Sequence, residues 1–457
     1  MGMGRRKRAR QEEFWIPADA LPETPRHVFY EKLNGLLADG DFDPFVEGLC
    51  QPYYAEADEP GRRSIPPGVY FRMLLIGYFE GIDSQRGIAW RCADSRSLAA
   101  FLGHRADEAT PDHSSLTRIR NRLPLAVHEE VFARMLSLAE KHQLLSGKTL
   151  AVDSTTLEAN AAMKSIVRRD TAEDWKEFVR RLAAEEGVEI RDEKDLRRFD
   201  KKRKDKKVSN AEWQSSTDED ARIMKMKDGR TRLGYKAEHV IDLESELIVQ
   251  ATVHLGTEGD AETLVPSVVK GQANLIRAGS ETSVKEVVAD AGYHKNETLA
   301  ECAAWDVRTY IPESERGERR WEDKPSEWEK AFRSNRRRVR GERGKRLGRL
   351  RSERVERSFA HVCNTGGARR TWLRGLEKIN KRYLMQAAAH NLAIVMRALF
   401  GVGKPRCLQG AGALAAAILC LLQIATEWLR GALTATRVNL RAELNFTLFR
   451  PSESLAA

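Results

Sequence analysis

Cysteine is scarce and scattered. Cys50, Cys92, Cys302, Cys363, Cys407 and Cys420 are the six in 457 residues, with no C-x-x-C pair and no zinc-like spacing. That argues against a disulfide scaffold or a zinc ribbon and reads as reduced, mostly buried thiols of a cytosolic protein. Long apolar runs are missing too. The run Ala411 to Ala425, AGALAAAILCLLQIA, falls short of the roughly 20 residues a bilayer span needs and reads as a buried or dimer-facing helix, so no membrane association is expected. The N-terminal MGMGRRKRARQEEF is basic, but no apolar segment of signal-peptide type follows it. There is no P-loop glycine pattern to indicate an ATP-driven step, and no recognisable motif for a Ser or Cys nucleophile.

Positive charge, by contrast, is abundant. Lys and Arg number 77 against 67 Asp and Glu, giving a net charge of +10 and a pI near 9.3. Such a balance suits a polyanionic partner, most plausibly nucleic acid. The length allows two or three domains. From about Arg26 to Leu123 apolar residues recur at three- and four-residue intervals, so this block reads as helical, with Pro66 and Pro67 at the start of its strongest helix. TPDHSSLTRIRNRL, Thr110 to Leu123, predicts a helix capped by Asp112 or Ser114 that displays Arg118, Arg120 and Arg122, an arrangement resembling a helix-turn-helix reader.

KTLAVDSTTLEANAA, Lys148 to Ala162, begins as an apolar strand and stops on Asp153. From about 158 to 230 the chain has little hydrophobic periodicity and dense charge, and reads as an inserted segment, mostly helical or flexible. GYKAEHVIDLESELIVQATVH then predicts a hairpin turning across LESE, and a helix follows from Ala261 to Ile276. A second strand, Val284 to Ala289, also ends on an acid, Asp290. In an open α/β sheet functional groups gather beyond strand ends, so the two carboxylates are expected to meet. In RSERVERSFAHV, Val355, Phe359 and Val362 mark an apolar helix face. Glu356 beside it is the candidate third acid, with Glu353 as its competitor.

An Asp in AVDSTTLEA, the hairpin, an Asp in VVADAGYH and a Glu in VERSF, in that order, resemble the DDE transposases of bacterial insertion sequences. The likeness runs from about Thr149 to Leu399, and the helical block from Phe29 to Leu123 resembles the N-terminal domain of the same enzymes. It implies an α/β fold: a ribonuclease-H-like mixed sheet with flanking helices, interrupted by the charged insertion, plus an α-helical N-terminal domain. The implied division is a basic tail (1–25), a helical DNA-binding domain (26–145), a catalytic domain (146–400, insertion about 158–230) and a C-terminal helical tail (401–457).

The implied catalytic and metal-holding carboxylates are Asp153, Asp290 and Glu356, with Mg²⁺ as cofactor and Mn²⁺ as a substitute. Two such ions about 4 Å apart activate the attacking oxygen and stabilise the leaving one. The implied partners are DNA, both the element's terminal inverted repeats and the target, and a second copy of the chain when two ends are held, with the bacterial nucleoid as the place of action. Some relatives carry a Tyr and an Arg just before the catalytic Glu and a Lys seven residues after it. Here Ser352 stands four residues before Glu356 and Cys363 seven after.

The run from Arg333 to Arg357 holds twelve basic residues, and a density of this kind favours phosphate contact. Arg336, Arg337, Arg338, Arg351 and Arg354 within it, with Lys236 on the hairpin, are the expected DNA contacts. His294 and Tyr235 are weaker candidates near the DNA. Trp213, Trp305, Trp321 and Trp328 either stack on a frayed base or pack in the core. The competing readings are a ribonuclease-H-like nuclease that only hydrolyses, and a transposase-derived DNA-binding protein without catalysis.

Overall fold

The computed structural model describes residues 27–54, 64–105, 107–204, 208–226, 228–314 and 320–405. The Ala411–Ala425 run and the basic N-terminal tail lie outside them. Among the described residues Cys50, Cys92, Cys302 and Cys363 are buried free thiols, and no helix is long and apolar enough to cross a membrane. The described residues up to Gly401 belong to one compact unit.

Seven helices come first: α1 (Val28–Asp39), α2 (Phe42–Cys50), α3 (Pro67–Glu80), α4 (Gln85–Asp94), α5 (Arg96–Phe101), α6 (His113–Arg122) and α7 (Leu125–Lys141). Pro67 opens α3, where its missing N–H costs nothing and its fixed φ suits the first turn. Asp112 caps α6, accepting from Ser114 N at 2.8 Å, which settles the choice of cap. The helices close over an aromatic core of Phe29, Tyr30, Phe71 and Phe79.

His128 on α7 is buried in that core. Its Nδ1 lies 3.1 Å from Pro124 O, a pure acceptor, so Nδ1 carries the proton and Nε2 accepts from Tyr70 Oη at 3.1 Å. Burial pushes its pKa down to about 4. The unfolded chain therefore binds this proton more tightly than the folded one, and stability falls as pH drops below the ordinary histidine value near 6.5. By a pH of about 5 this site alone costs about 2 kcal/mol. Denaturant midpoints measured near neutrality and at that acid pH are expected to differ by about this amount more in wild type than in His128→Gln. Equal differences would remove His128 from the account.

The rest of the unit is an α/β assembly. In chain order it comprises β1 (Thr149–Glu158), β2 (Ile166–Arg168), α8 (Trp175–Glu185), α9 (Glu193–Lys202), β3 (Trp213–Ser215), β4 (Arg222–Lys225), β5 (Thr231–Asp242), β6 (Ile248–Leu255), α10 (Asp260–Arg277), β7 (Glu286–Val288), α11 (Asn296–Ala304), β8 (Arg308–Tyr310), α12 (Ser326–Arg340), α13 (Glu342–Phe359) and α14 (Leu376–Phe400). The main sheet runs β6-β5-β1-β7-β8. β5 runs antiparallel to both of its neighbours, β6 and β1, whereas β7 and β8 run parallel to β1. The two halves thus meet at the β1–β7 pair.

Side chains alternate across this sheet. His239 on β5 stacks on Phe359 and bonds Ser358 Oγ at 2.8 Å, so its face looks toward α13. Glu238, one residue earlier, accepts from Thr263 and Ser267 of α10 on the other face. Both edges of the sheet are covered rather than left open. Asn380 and Asn391 on α14 bond the backbone of Val253 and Ile248 on β6, and Asn335 on α12 does the same at Ile311, just beyond β8. α14 also packs against α7 and α3, tying the helical block to the sheet.

The charged segment is more ordered than its composition suggests. It holds the expected helices, α8 and α9, but also the β2–β3 pair, while β4 joins the main sheet beside β5. A narrow apolar stripe explains this. Phe178, Val179, Ala183, Leu196 and Trp213 are buried, and Trp213 meets Phe178 edge to face, which places this tryptophan in a core. Tyr235 is likewise buried, its hydroxyl donating to Asp218 at 2.8 Å.

Candidate active site

β1 is buried through Val152 and opens at Asp153. In the parallel β1–β7 register Ala151 faces Val288, so Asp153 and Asp290 each stand two residues beyond a paired position, at the same level of the sheet. Adjacent strands are about 4.8 Å apart, which sets the two aspartates side by side. Only Asp290 lies beyond its strand, because β1 does not stop at Asp153 as the apolar run suggested but continues, paired with β5, to Glu158. Asp153 Oδ1 accepts from Ser154 N at 2.7 Å. Asp290 Oδ1 accepts from Gly292 N at 2.7 Å and caps a 3₁₀ turn, Ala291–Tyr293.

α13 crosses the sheet on the Asp153 side. Its start is anchored by Arg343, whose Nε and Nη2 meet Glu286 at 3.1 and 2.5 Å. Burial raises the Glu286 pKa, but hydrogen bonds from Arg343, Tyr310 and Thr149 outweigh it and hold the carboxyl low. Midway along the helix, Arg351 Nη1 donates to Asp153 Oδ2 at 2.7 Å, and Val355 is buried one turn later. Arg354 donates to Leu243 O and Glu244 O, and Arg357 pairs with Glu246, at the turn between β5 and β6.

With about 100° per residue, Glu356 lies on the opposite flank of α13 from Arg354. That turn adjoins the beginning of β1, where Leu150 pairs with Asp242, so Glu356 lies on the flank of α13 turned away from it. It is exposed. Glu353, also exposed, is engaged by Arg357. Among the described residues no group of three or more His, Cys, Asp or Glu side chains is gathered to hold a metal ion. The donors nevertheless suit a hard cation, since all three are carboxylates. A guanidinium already neutralises the outer oxygen of Asp153.

One acid near the site escaped sequence reasoning. Asp260, the first residue of α10, accepts from Ser154 Oγ at 2.9 Å and pairs with Lys236 Nζ at 2.7 Å. Its Oδ2 and Asp290 Oδ1 each lie 3.0 Å from the position a Cβ on Gly292 would take, so these oxygens are at most twice that distance apart. The only signal in the sequence was an acid at the start of a helix, which usually means a favourable helix dipole. Gly292→Ala would push a methyl between the two carboxylates. We expect it to lower strand joining about tenfold while the melting temperature stays within about 3 °C of wild type; unchanged joining would show that the carboxylates do not have to stay this close.

Two expected DNA contacts are not at the surface. Lys236 is buried, held by Asp260 and by Glu258 O at 2.8 Å, because its strand position points under α10. Arg120 is buried because it shares the inward stripe of α6 with Leu116 and Ile119. Arg118 and Arg122 are exposed, with Arg122 over the Tyr54 ring. Within the arginine-rich run, Arg338 is spent on Thr309 O and Arg336 pairs with Glu313, while Arg337, Arg340, Arg346 and Arg349 are exposed. Arg351 and Arg354 are both engaged within the chain. His294 is buried edge-on to Phe332, Trp305 is exposed, and Trp321 and Trp328 are half-buried.

Two family models match the chain. Residues 18–122 match a transposase domain (DUF772), and residues 280–396, which include Asp290 and Glu356, match a transposase DDE domain. These two domains indicate a transposase and support its place among the DDE enzymes of insertion sequences. No curated protein and no solved structure matches significantly.

Proposed function

We propose that the chain binds the ends of an insertion sequence and catalyses metal-dependent cleavage and strand transfer, using Asp153, Asp290 and Glu356. The observation that carries this reading is the level placement of Asp153 and Asp290 on neighbouring parallel strands. Glu356, exposed on α13, is the acid we assign as their third partner. The strand order β6-β5-β1-β7-β8, antiparallel on one side of β1 and parallel on the other, supports a ribonuclease-H-like catalytic domain over about 146–400. Helices α1 to α7 would then form the DNA-binding region of about 26–145, and the exposed arginines of α12 and α13 a path for the phosphate backbone.

Asp153, Asp290 and Glu356 would hold Mg²⁺ or Mn²⁺, which when bound would supply Lewis-acid activation of the attacking oxygen and charge neutralisation at the leaving oxygen. The chain's part is to hold those carboxylates in place. Ser154 N and Gly292 N orient one oxygen of each aspartate, and Arg343 fixes the crossing of α13 through Glu286. Arg351 sits where a cation on a flexible stem can exchange Asp153 for a DNA phosphate. Two copies acting on two ends would complete the reaction.

The test is cleavage and joining on a duplex carrying the element's own ends, with Mg²⁺ or Mn²⁺ and the wild-type chain. Joined products support the proposal. Hydrolysis without joining favours the nuclease reading, and end binding with neither favours a DNA-binding derivative.

A further inference from the structure

Arg120 is 7% exposed, and its Nε and Nη1 are buried without a hydrogen bond to any described residue. It lines a cavity of about 290 Å³ together with a second arginine, Arg382 of α14. Tyr70, Leu74 and Ile88 supply apolar wall. Among the described lining residues the one carboxylate is Asp83, and it is already committed, accepting from Trp372 Nε1 at 2.6 Å. The exposed Arg86 adds a further positive charge, while His113 lies against Asp112. Positive charge therefore exceeds negative around a half-open, largely apolar space.

An arginine buried with donors unmade is costly, because the charge has lost water and gained no acceptor. Burial accordingly lowers Arg120, and burial together with the neighbouring Arg120 lowers Arg382 to about 10, against the opposing pull of Asp83. What relieves two adjacent guanidiniums is a compact oxoanion, and the planar fork of arginine matches phosphate in two hydrogen bonds at once. The volume lies near the lower end of small-ligand sites, leaving room beside a phosphate for the group that carries it.

We propose that this cavity is a phosphate site, built by α3, α4, α6 and the start of α14, in which Arg120 and Arg382 bind the phosphate of a nucleotide. The nucleotide is either free or the terminal unit of a DNA strand. The proposal does not rest on the three acids, and its test involves no catalysis.

Titration calorimetry on the full chain, at matched ionic strength in chloride, would use three probes: inorganic phosphate, deoxyadenosine 5′-monophosphate, and a short duplex with or without a 5′-phosphate. Arg382→Gln and Arg120→Gln are each expected to weaken binding of the mononucleotide at least about tenfold, and Arg382→Lys less, since it keeps the charge but loses the fork. A preference for the 5′-phosphorylated duplex over its unphosphorylated form assigns the DNA strand as the source, whereas binding of the mononucleotide alone assigns a free nucleotide. Without ligand, Arg120→Gln is expected to melt no lower than wild type, because it removes a buried unmatched charge.

The proposal is overturned if no probe binds wild type beyond the chloride control, or if the glutamine variants bind as wild type does. A large loss of ligand-free stability in Arg120→Gln would make that residue a packing element instead. Arg382→Gln and Arg382→Lys keep the test decisive in that event.

Discussion

Asp153→Asn, Asp290→Asn and Glu356→Gln are each expected to reduce cleavage and joining at least about 10³-fold, equivalent to about 4 kcal/mol of transition-state stabilisation. End binding should stay within about threefold of wild type. Each amide keeps the shape of the acid it replaces but removes the charge that draws a divalent cation. In the proposed function the binding surface lies elsewhere, at arginines such as Arg337, Arg340, Arg346 and Arg349, which are exposed. Asp153→Asn has a second consequence, since it strips Arg351 of its carboxylate partner. Without that competitor Arg351 should take up the DNA phosphate more readily, strengthening end binding within that threefold range, an effect absent from Glu356→Gln. Joining activity retained in Glu356→Gln but lost in Glu353→Gln would move the third acid one turn along α13. Retention in all three variants would end the triad altogether.

The parts of this arrangement that were legible in the sequence are those with a local signature. The hairpin of β5 and β6 and the buried Val355, Phe359 and Val362 follow local periods, although α13 ends at Phe359 and Val362 falls in a π-helical turn, Ala360–Thr365. The apolar run before Asp153 is buried as its pattern predicts, but its strand does not stop there and continues to Glu158. Strand order has no such signature. β1 and β7 pair across more than a hundred residues, so the level placement of Asp153 and Asp290 emerges only from the fold. Charge was the least faithful guide. Lys236 and Arg120 read as surface cations because composition records a charge but not which way its strand or helix turns it. In the inserted segment a few buried residues, Phe178 and Trp213 among them, were outnumbered by charges that carry no weight in packing. Asp260 was hidden in another way, since an acid at a helix start has an ordinary explanation that needs no active site.

The asparagines that close the sheet carry the other large expected effect. Asn391 is fully buried, its Oδ1 accepting from Ile248 N at 2.8 Å and its Nδ2 donating to Ile248 O at 2.8 Å. One side chain thus satisfies both backbone groups of an edge residue, as a neighbouring strand would, and Asn380 repeats the pattern three turns away at Val253. Leucine at 391 is similar in size but leaves a buried N–H and a buried C=O unmade. At about 1–3 kcal/mol for each group, Asn391→Leu is expected to cost about 2–6 kcal/mol and lower the chemical denaturation midpoint accordingly. Asn391→Asp gives a sharper test. It is isosteric and keeps the acceptor for Ile248 N, but sets an ionised oxygen against Ile248 O, so near neutral pH it should be at least as damaging as leucine. Protonating the acid restores a donor, so the Asp variant should regain ground relative to wild type as pH falls toward about 5, while the Leu variant should not. If both variants unfold at the wild-type midpoint, α14 holds the sheet by apolar packing alone, and the asparagine pairs contribute nothing measurable to closing its edge.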